Sequence, residues 1–172
     1  MLKPRFLTLT GLILLAVASR LLPHPPNFAP ITAIALFGGA YYTRKWVAFV
    51  IPFIIMFVTD LILGFHADML AVYVGFALIV GIGFLLRNRI SISKILGAAL
   101  GGSVLFFLIT NFSVWLTGTM YPQTTSGLLA CYAAGIPFFQ YSVMSTLVYS
   151  SVLFGAFELA KSKFPELTLV RA

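Results

Sequence analysis

Acid is what this chain has least of. Four Asp and Glu residues stand in 172 positions, and all charged residues together make up 9%. A soluble domain carries about 25%, so a water-exposed surface of ordinary size is excluded. Ion-coupled pumping has few candidate carriers beyond Asp60. The lone cysteine, Cys131, excludes an internal disulfide and any cysteine-rich metal site. Histidine is almost as scarce. His24 and His66, even with Asp68 added, lack metal-ligand motif spacing, and no metal or other cofactor is expected. The sequence holds no His-Glu-x-x-His, no Gly-x-Ser-x-Gly and no phosphate-binding glycine loop, so no enzyme is read from it.

What is abundant is apolar surface. Hydrophobic residues make up 60% of the chain and fall in successive segments with short connections, the pattern of one polytopic membrane domain over residues 1–172. The N-terminus imitates a secretion signal, with Lys3 and Arg5 before an apolar run and Ala16-Val17-Ala18 as a cleavage-like site. The run continues through Leu21-Leu22, which reads as a retained first helix.

The pattern predicts six segments: Phe6 to Leu22, a short helix from Ala29 to Tyr42, Trp46 to Phe65 with Pro52 inside, Met69 to Leu86, Ile95 to Gly118, and Phe138 to Ala160. Between the last two, Thr119 to Pro137 reads as the longest connection, with Thr124, Thr125 and Ser126 capping a short re-entrant or interfacial helix over Gly127 to Ala134. Gly97, Gly101 and Gly102 are expected to let segment five approach its neighbours.

Segment two organises the rest. Pro30 suits its first turn and Asn27 is placed to cap it. A helix from Pro30 to Tyr42 is roughly 18 Å long, against a bilayer core of about 30 Å. If it crosses, the loop before it is re-entrant, and irregular backbone at that depth survives only in protein or beside a polar cavity. Leu21 to Phe28 is therefore expected to wall a pocket.

Charge supports six crossings with both termini cytoplasmic. The inner side then holds Lys3, Arg5, Arg44, Lys45, Arg87, Arg89, Lys94, Lys161, Lys163 and Arg171, and the outer side only Arg20. The net charge of +7 is thus a topology signal, not a nucleic-acid footprint. Tyr41, Tyr42 and Trp46 are expected at the inner lipid boundary, and Trp115, Tyr121 and Tyr132 at the outer one.

The polar residues cluster toward the outer side: Arg20, His24, Asn27, Asp60, His66, Asp68, Asn111, Gln123 and Gln140. An ionised Asp60 inside a helix needs a partner, and Arg20 sits at similar depth, so the two are expected to pair. Such a pair either locks two helices or orders a pocket rim. Asn111, four residues before Trp115 and on its face, either glues helices or reads a ligand edge. The expected substrate site comprises Arg20, His24, Asn27, Asp60, His66 and Asn111 as polar groups, with Phe28, Trp115 and Tyr121 as apolar walls and Phe65 beside them.

Pro23-His-Pro-Pro-Asn-Phe-Ala-Pro-Ile31, Ala35-Leu-Phe-Gly-Gly-Ala40 and Thr59-Asp-Leu-Ile-Leu-Gly-Phe-His66 resemble the signature stretches of a family of small bacterial inner-membrane proteins associated with transport. The match continues through Asn111-Phe-Ser-Val-Trp115, Met120-Tyr-Pro122 and Ile136-Pro-Phe-Phe139. More distantly, the plan resembles the substrate-binding (S) subunits of energy-coupling-factor vitamin transporters. Those have six helices, cytoplasmic termini, a first loop over an outward pocket and an Asp-x-x-Leu-Gly-like end to helix three. The resemblance implies capture of a vitamin-like small molecule, with a coupling subunit and an ATPase as partners beside the lipid bilayer. Those subunits carry an Ala-x-x-x-Ala contact motif on helix one, whereas Ala16 and Ala18 here have a different spacing. The rival reading is a non-catalytic accessory or assembly subunit that packs through Gly38-Gly39 and Gly97 to Gly102.

Overall fold

A computed structural model describes residues 3–65 and 67–168. It contains α1 (Pro4–Ala18), prolonged by a 3-10 turn at Ser19–Leu21, then α2 (Ile31–Tyr41), α3 (Lys45–Leu63), α4 (Met69–Leu85), α5 (Ile92–Thr117) and α6 (Thr125–Lys163), with a last 3-10 turn at Pro165–Leu167. Four helices, α1 with its extension, α3, α5 and α6, are long and apolar enough to cross a membrane, while α2 and α4 are shorter apolar helices. The all-helical architecture is compatible with a multi-pass membrane protein.

The core is a helix rather than a layer. Ten of the eleven residues of α2 are buried, so it is enclosed by the other five. Its composition explains this: an apolar helix with no polar stripe has no face to give to water. Small residues then set how near its neighbours come. A Cβ on Gly39 would lie 2.3 Å from the Val80 carbonyl oxygen, and one on Gly83 would lie 2.6 Å from that of Leu36. Thus α2 and α4 touch backbone to backbone. On another side, the Pro52 ring of α3 sits where Gly38 lacks a side chain, and Gly102 of α5 admits Thr32 and Ile79.

A buried helix must still satisfy its last carbonyls. Arginines from two other elements do this for α2. Arg87, just after α4, donates from Nε to the Gly39 carbonyl (2.8 Å) and from Nη2 to that of Tyr42 (2.7 Å). Arg5 of α1 donates from Nη2 to the Tyr41 carbonyl (2.9 Å) and from Nη1 to that of Leu167 (2.6 Å). Cations at a helix C-terminus also oppose the negative end of its dipole. The Tyr42 hydroxyl is bonded to Thr10 Oγ1 at 2.8 Å. Arg87→Ala is expected to lower stability by about 2 kcal/mol, and Arg87→Lys to recover only part of that, because an ammonium cannot span both carbonyls. Denaturation of the purified variants checks both.

These bonds gather the start of α1, the ends of α2 and α6 and the α4–α5 connection at one end of the bundle, here called the terminal end. Arg20 lies at the opposite end, with Asp60 and the start of α2.

Several expectations change. The long connection between segments five and six does not exist as such: α6 is one helix of 39 residues, about 58 Å long. Thr124 does cap it, its hydroxyl accepting from the Gly127 N–H at 3.1 Å, but the helix then runs on through Pro137. Packing on α5 holds the helix across that proline. Tyr132 donates to the Leu108 carbonyl (2.9 Å), Cys131 Sγ to that of Asn111 (3.4 Å), and a Cβ on Gly135 would lie 2.5 Å from Asn111 Oδ1. Of the α5 glycines only Gly102 makes a close contact, since Gly97 and Gly101 face open space. Tyr41 and Tyr42 are buried core residues rather than lipid-boundary anchors, whereas Trp46 is exposed. Pro30 stands as the residue before α2 rather than within its first turn, and no side chain caps that helix. Asn27 adopts a left-handed conformation (φ 61°), which asparagine tolerates better than most residues, so it turns the chain instead of capping.

Candidate functional site

The site grows from the end of α1. The 3-10 turn at Ser19–Leu21 aims Arg20 at α3, where Thr59 and Asp60 are both buried. Arg20 Nη2 donates to Asp60 Oδ1 at 2.9 Å, and Nη1 to Thr59 Oγ1 at 2.7 Å and to Met56 Sδ at 3.3 Å. Tyr73 of α4 donates to the second carboxylate oxygen at 2.7 Å. The two charged side chains are 10% and 4% exposed. Three helices therefore share one ionic cluster, and both carboxylate oxygens of Asp60 are engaged. The expected pairing of Arg20 with Asp60 is present, and Tyr73 is the partner that sequence reasoning missed. Its separation of 13 positions from Asp60, across the α3–α4 connection, offered no cue, because only the packing of α3 on α4 brings them together.

Above this cluster, Arg20, Leu21, Leu22, Pro23, His24, Asn27, Ala29 and Leu63 line a concavity of about 550 Å³. Most of that loop is exposed, and Pro30 at its end is buried. His24 Nδ1 bonds the Pro25 carbonyl at 3.1 Å in the tautomer that carries its proton there. The loop is tied to α6: Ser145 Oγ donates to the Ala29 carbonyl (3.0 Å), Ser142 Oγ to that of Asn27 (3.5 Å), and Phe28 meets the Tyr149 ring at 6.1 Å between centroids. Phe28 thus anchors the loop to α6 and is not among the residues lining the concavity.

Asn27 has a second role. It also lines a smaller cavity of about 80 Å³ with Phe106, Phe107, Thr110, Asn111, Phe138 and Phe139, between α5 and α6. Asn111 donates from Nδ2 to the Phe107 carbonyl of its own helix at 2.9 Å, with its oxygen beside Gly135. Asn27 therefore stands between the two cavities, with Arg20 and His24 on one side and Asn111 on the other.

Trp115 and Tyr121 are placed elsewhere. Trp115 Nε1 donates to the Pro122 carbonyl at 2.9 Å and its ring packs on Phe112, so it braces the α5–α6 turn, where Tyr121 is half-buried. Neither lines the two cavities described. Asp68 accepts from Ser113 Oγ at 2.9 Å, joining the start of α4 to α5. His66 lies outside the described residues. Phe65 is exposed and packs on Phe57 at 6.0 Å.

The arrangement is suited to holding a small molecule by a few fixed polar groups. The guanidinium is oriented before any ligand arrives, since Asp60, Thr59 and Met56 take donors from two of its nitrogens. Apolar Leu21, Leu22, Pro23 and Leu63 supply the remaining wall, the mixture of greasy lining and sparse polar groups that small-molecule sites use.

No curated protein and no solved structure matches the chain. A family model does match, over residues 1–167, and its description is a family of unknown function. Since the match spans nearly the whole chain, this protein belongs to the DUF6580 family.

Proposed function

We propose that this protein is a substrate-binding membrane subunit that captures a vitamin-like small molecule for uptake across a bacterial inner membrane. Six crossings place both termini in the cytoplasm, and the Pro-rich first loop re-enters the outer leaflet to roof the site. The observation that carries this reading is the concavity of about 550 Å³ beside the buried Arg20–Asp60 pair, within the size range of ligand pockets. The eleven-residue α2 supports it too: at roughly 16 Å it spans about half of a bilayer core, so the chain before it sinks toward the midplane. The concentration of Lys and Arg at the terminal end supports cytoplasmic termini. A coupling subunit and an ATPase supply the energy, as the resemblance to energy-coupling-factor S subunits implies.

The test is growth of vitamin auxotrophs whose only uptake route is this protein. Rescue on limiting supplement by one vitamin is the expected result, and Asn27→Ala is expected to raise the supplement needed by about tenfold, the loss of one well-placed hydrogen bond to a ligand. Failure across the vitamins, with the protein present in the membrane, overturns the reading. One observation favours the accessory-subunit alternative: Gly97 and Gly101, one turn apart on α5, face open space and offer a helix-packing face.

A further inference from the structure

The terminal end holds a second cavity, of about 300 Å³, lined by Arg5, Ala40, Tyr41, Tyr42, Thr43, Arg87, Ile90, Lys161 and Thr168. Its three cations come from three separate parts of the chain: α1, the α4–α5 connection and α6. Their charge is only partly compensated. Glu158 lies next to the cavity, and its carboxylate accepts from Lys161 Nζ at 2.9 Å and from the Tyr41 hydroxyl. The C-terminus of α2, which Arg5 and Arg87 cap, contributes the equivalent of about half a negative charge. Two arginines and a lysine against one carboxylate and half a charge leave a surplus of about one and a half positive charges in a half-buried space. Like charges gathered there repel one another at a cost that an anion would remove.

The donors are also unevenly committed. Arg87 Nη1 reaches the Thr43 carbonyl only at 3.5 Å, against 2.8 and 2.7 Å for its other two bonds. Lys161 adds an ammonium, paired with the part-exposed Glu158 carboxylate, and the exposed Thr43 and Thr168 also line the cavity. A fork of guanidinium donors with a lysine beside it is the set that recognises a phosphate group.

We propose that this cavity binds a phosphate group, carried either by an anionic phospholipid of the adjoining leaflet or by a soluble phosphate. The bound group neutralises the surplus charge and holds the starts of α1 and α5 and the end of α6 around the last turn of α2. The site lies at the end of the bundle opposite the concavity and is independent of the uptake reading.

The test uses the full chain in nanodiscs and reads its melting temperature. In phosphatidylcholine discs, inorganic phosphate is titrated; in a parallel arm, phosphatidylglycerol replaces part of the phosphatidylcholine and no phosphate is added. A saturable rise with inorganic phosphate assigns the site to a soluble anion, and a rise with phosphatidylglycerol alone assigns it to lipid. In either arm Lys161→Gln is expected to weaken the response at least about tenfold, since it removes a charged hydrogen bond. Thr43→Glu, which places a carboxylate at the cavity rim, is expected to melt higher than the unmodified protein in phosphatidylcholine and to lose the response. No response in either arm, or a response that both variants retain in full, overturns the proposal.

Discussion

Gly83→Leu is expected to leave no folded protein. A single added carbon at this position would already lie 2.6 Å from the Leu36 carbonyl oxygen and 2.9 Å from Gly39 Cα, and both obstacles are backbone. Side chains can rotate away from an intruder, but a helix backbone moves only as a whole. Admitting leucine requires α4 to withdraw from α2, and α2 has no other way to remain enclosed. Overpacking a core costs about 1–3 kcal/mol when the surroundings adjust, and here they cannot. Gly83→Ala already meets these obstacles, so the same sign of effect is expected from it at smaller size. The contrast is Gly97→Ala, whose new carbon meets open space. It is expected to be neutral or to stabilise by up to about 1 kcal/mol through helix propensity. Yield of monodisperse protein in detergent, followed by denaturation of whatever folds, measures both. Equal behaviour of Gly83→Ala and Gly97→Ala would show that α2 and α4 do not meet as described.

The second large effect is expected at Asp60. Asp60→Ala strands the Arg20 guanidinium in a buried setting and leaves the Tyr73 hydroxyl without its acceptor, a loss of about 3–5 kcal/mol. The double variant Arg20→Met with Asp60→Leu removes both charges together and is expected to regain most of that stability, because the desolvation of two ions disappears with their attraction. Stability and uptake then separate the two roles of the pair. If it only locks α1 to α3, the double variant folds and supports uptake. If Arg20 also meets the ligand, the double variant folds but fails to rescue growth, which is the outcome expected from its place in the lining of the concavity. A double variant as unstable as Asp60→Ala would show that the cluster contributes more than the balance of its two charges.

Some of this was legible in the order of residues, and the reason is the apolar surroundings. In a segment where nearly every neighbour is apolar, a carboxylate has few permissible partners, so Asp60 could be matched to Arg20 from depth and sign alone. The order of the first five helices followed from runs of apolar residues broken by basic residues at Arg44-Lys45 and Arg87 to Lys94 and elsewhere by proline-rich or polar turns. The shortness of α2 followed from the distance between Pro30 and Arg44. These are properties of the chain that hold whatever packs against it.

Other features required the fold. Gly39, Gly83, Gly97 and Gly101 are the same residue, and only the position of a neighbouring backbone separates an essential contact from an empty one. Tyr41 and Tyr42 have the composition of a lipid-boundary belt, yet both pack inside the bundle, where their hydroxyls bond Glu158 and Thr10, residues 117 and 32 positions away. Pro137 reads as the end of a connection because a proline removes one helical hydrogen bond. It stays inside α6 because contacts with α5 on the turns around it outweigh that single loss. Local chemistry thus determined where most of the apolar helices lie and which charges must meet, since both depend on solvation along the chain. Only tertiary structure decided that the shortest helix is the centre, because enclosure depends on how closely other backbones can approach it.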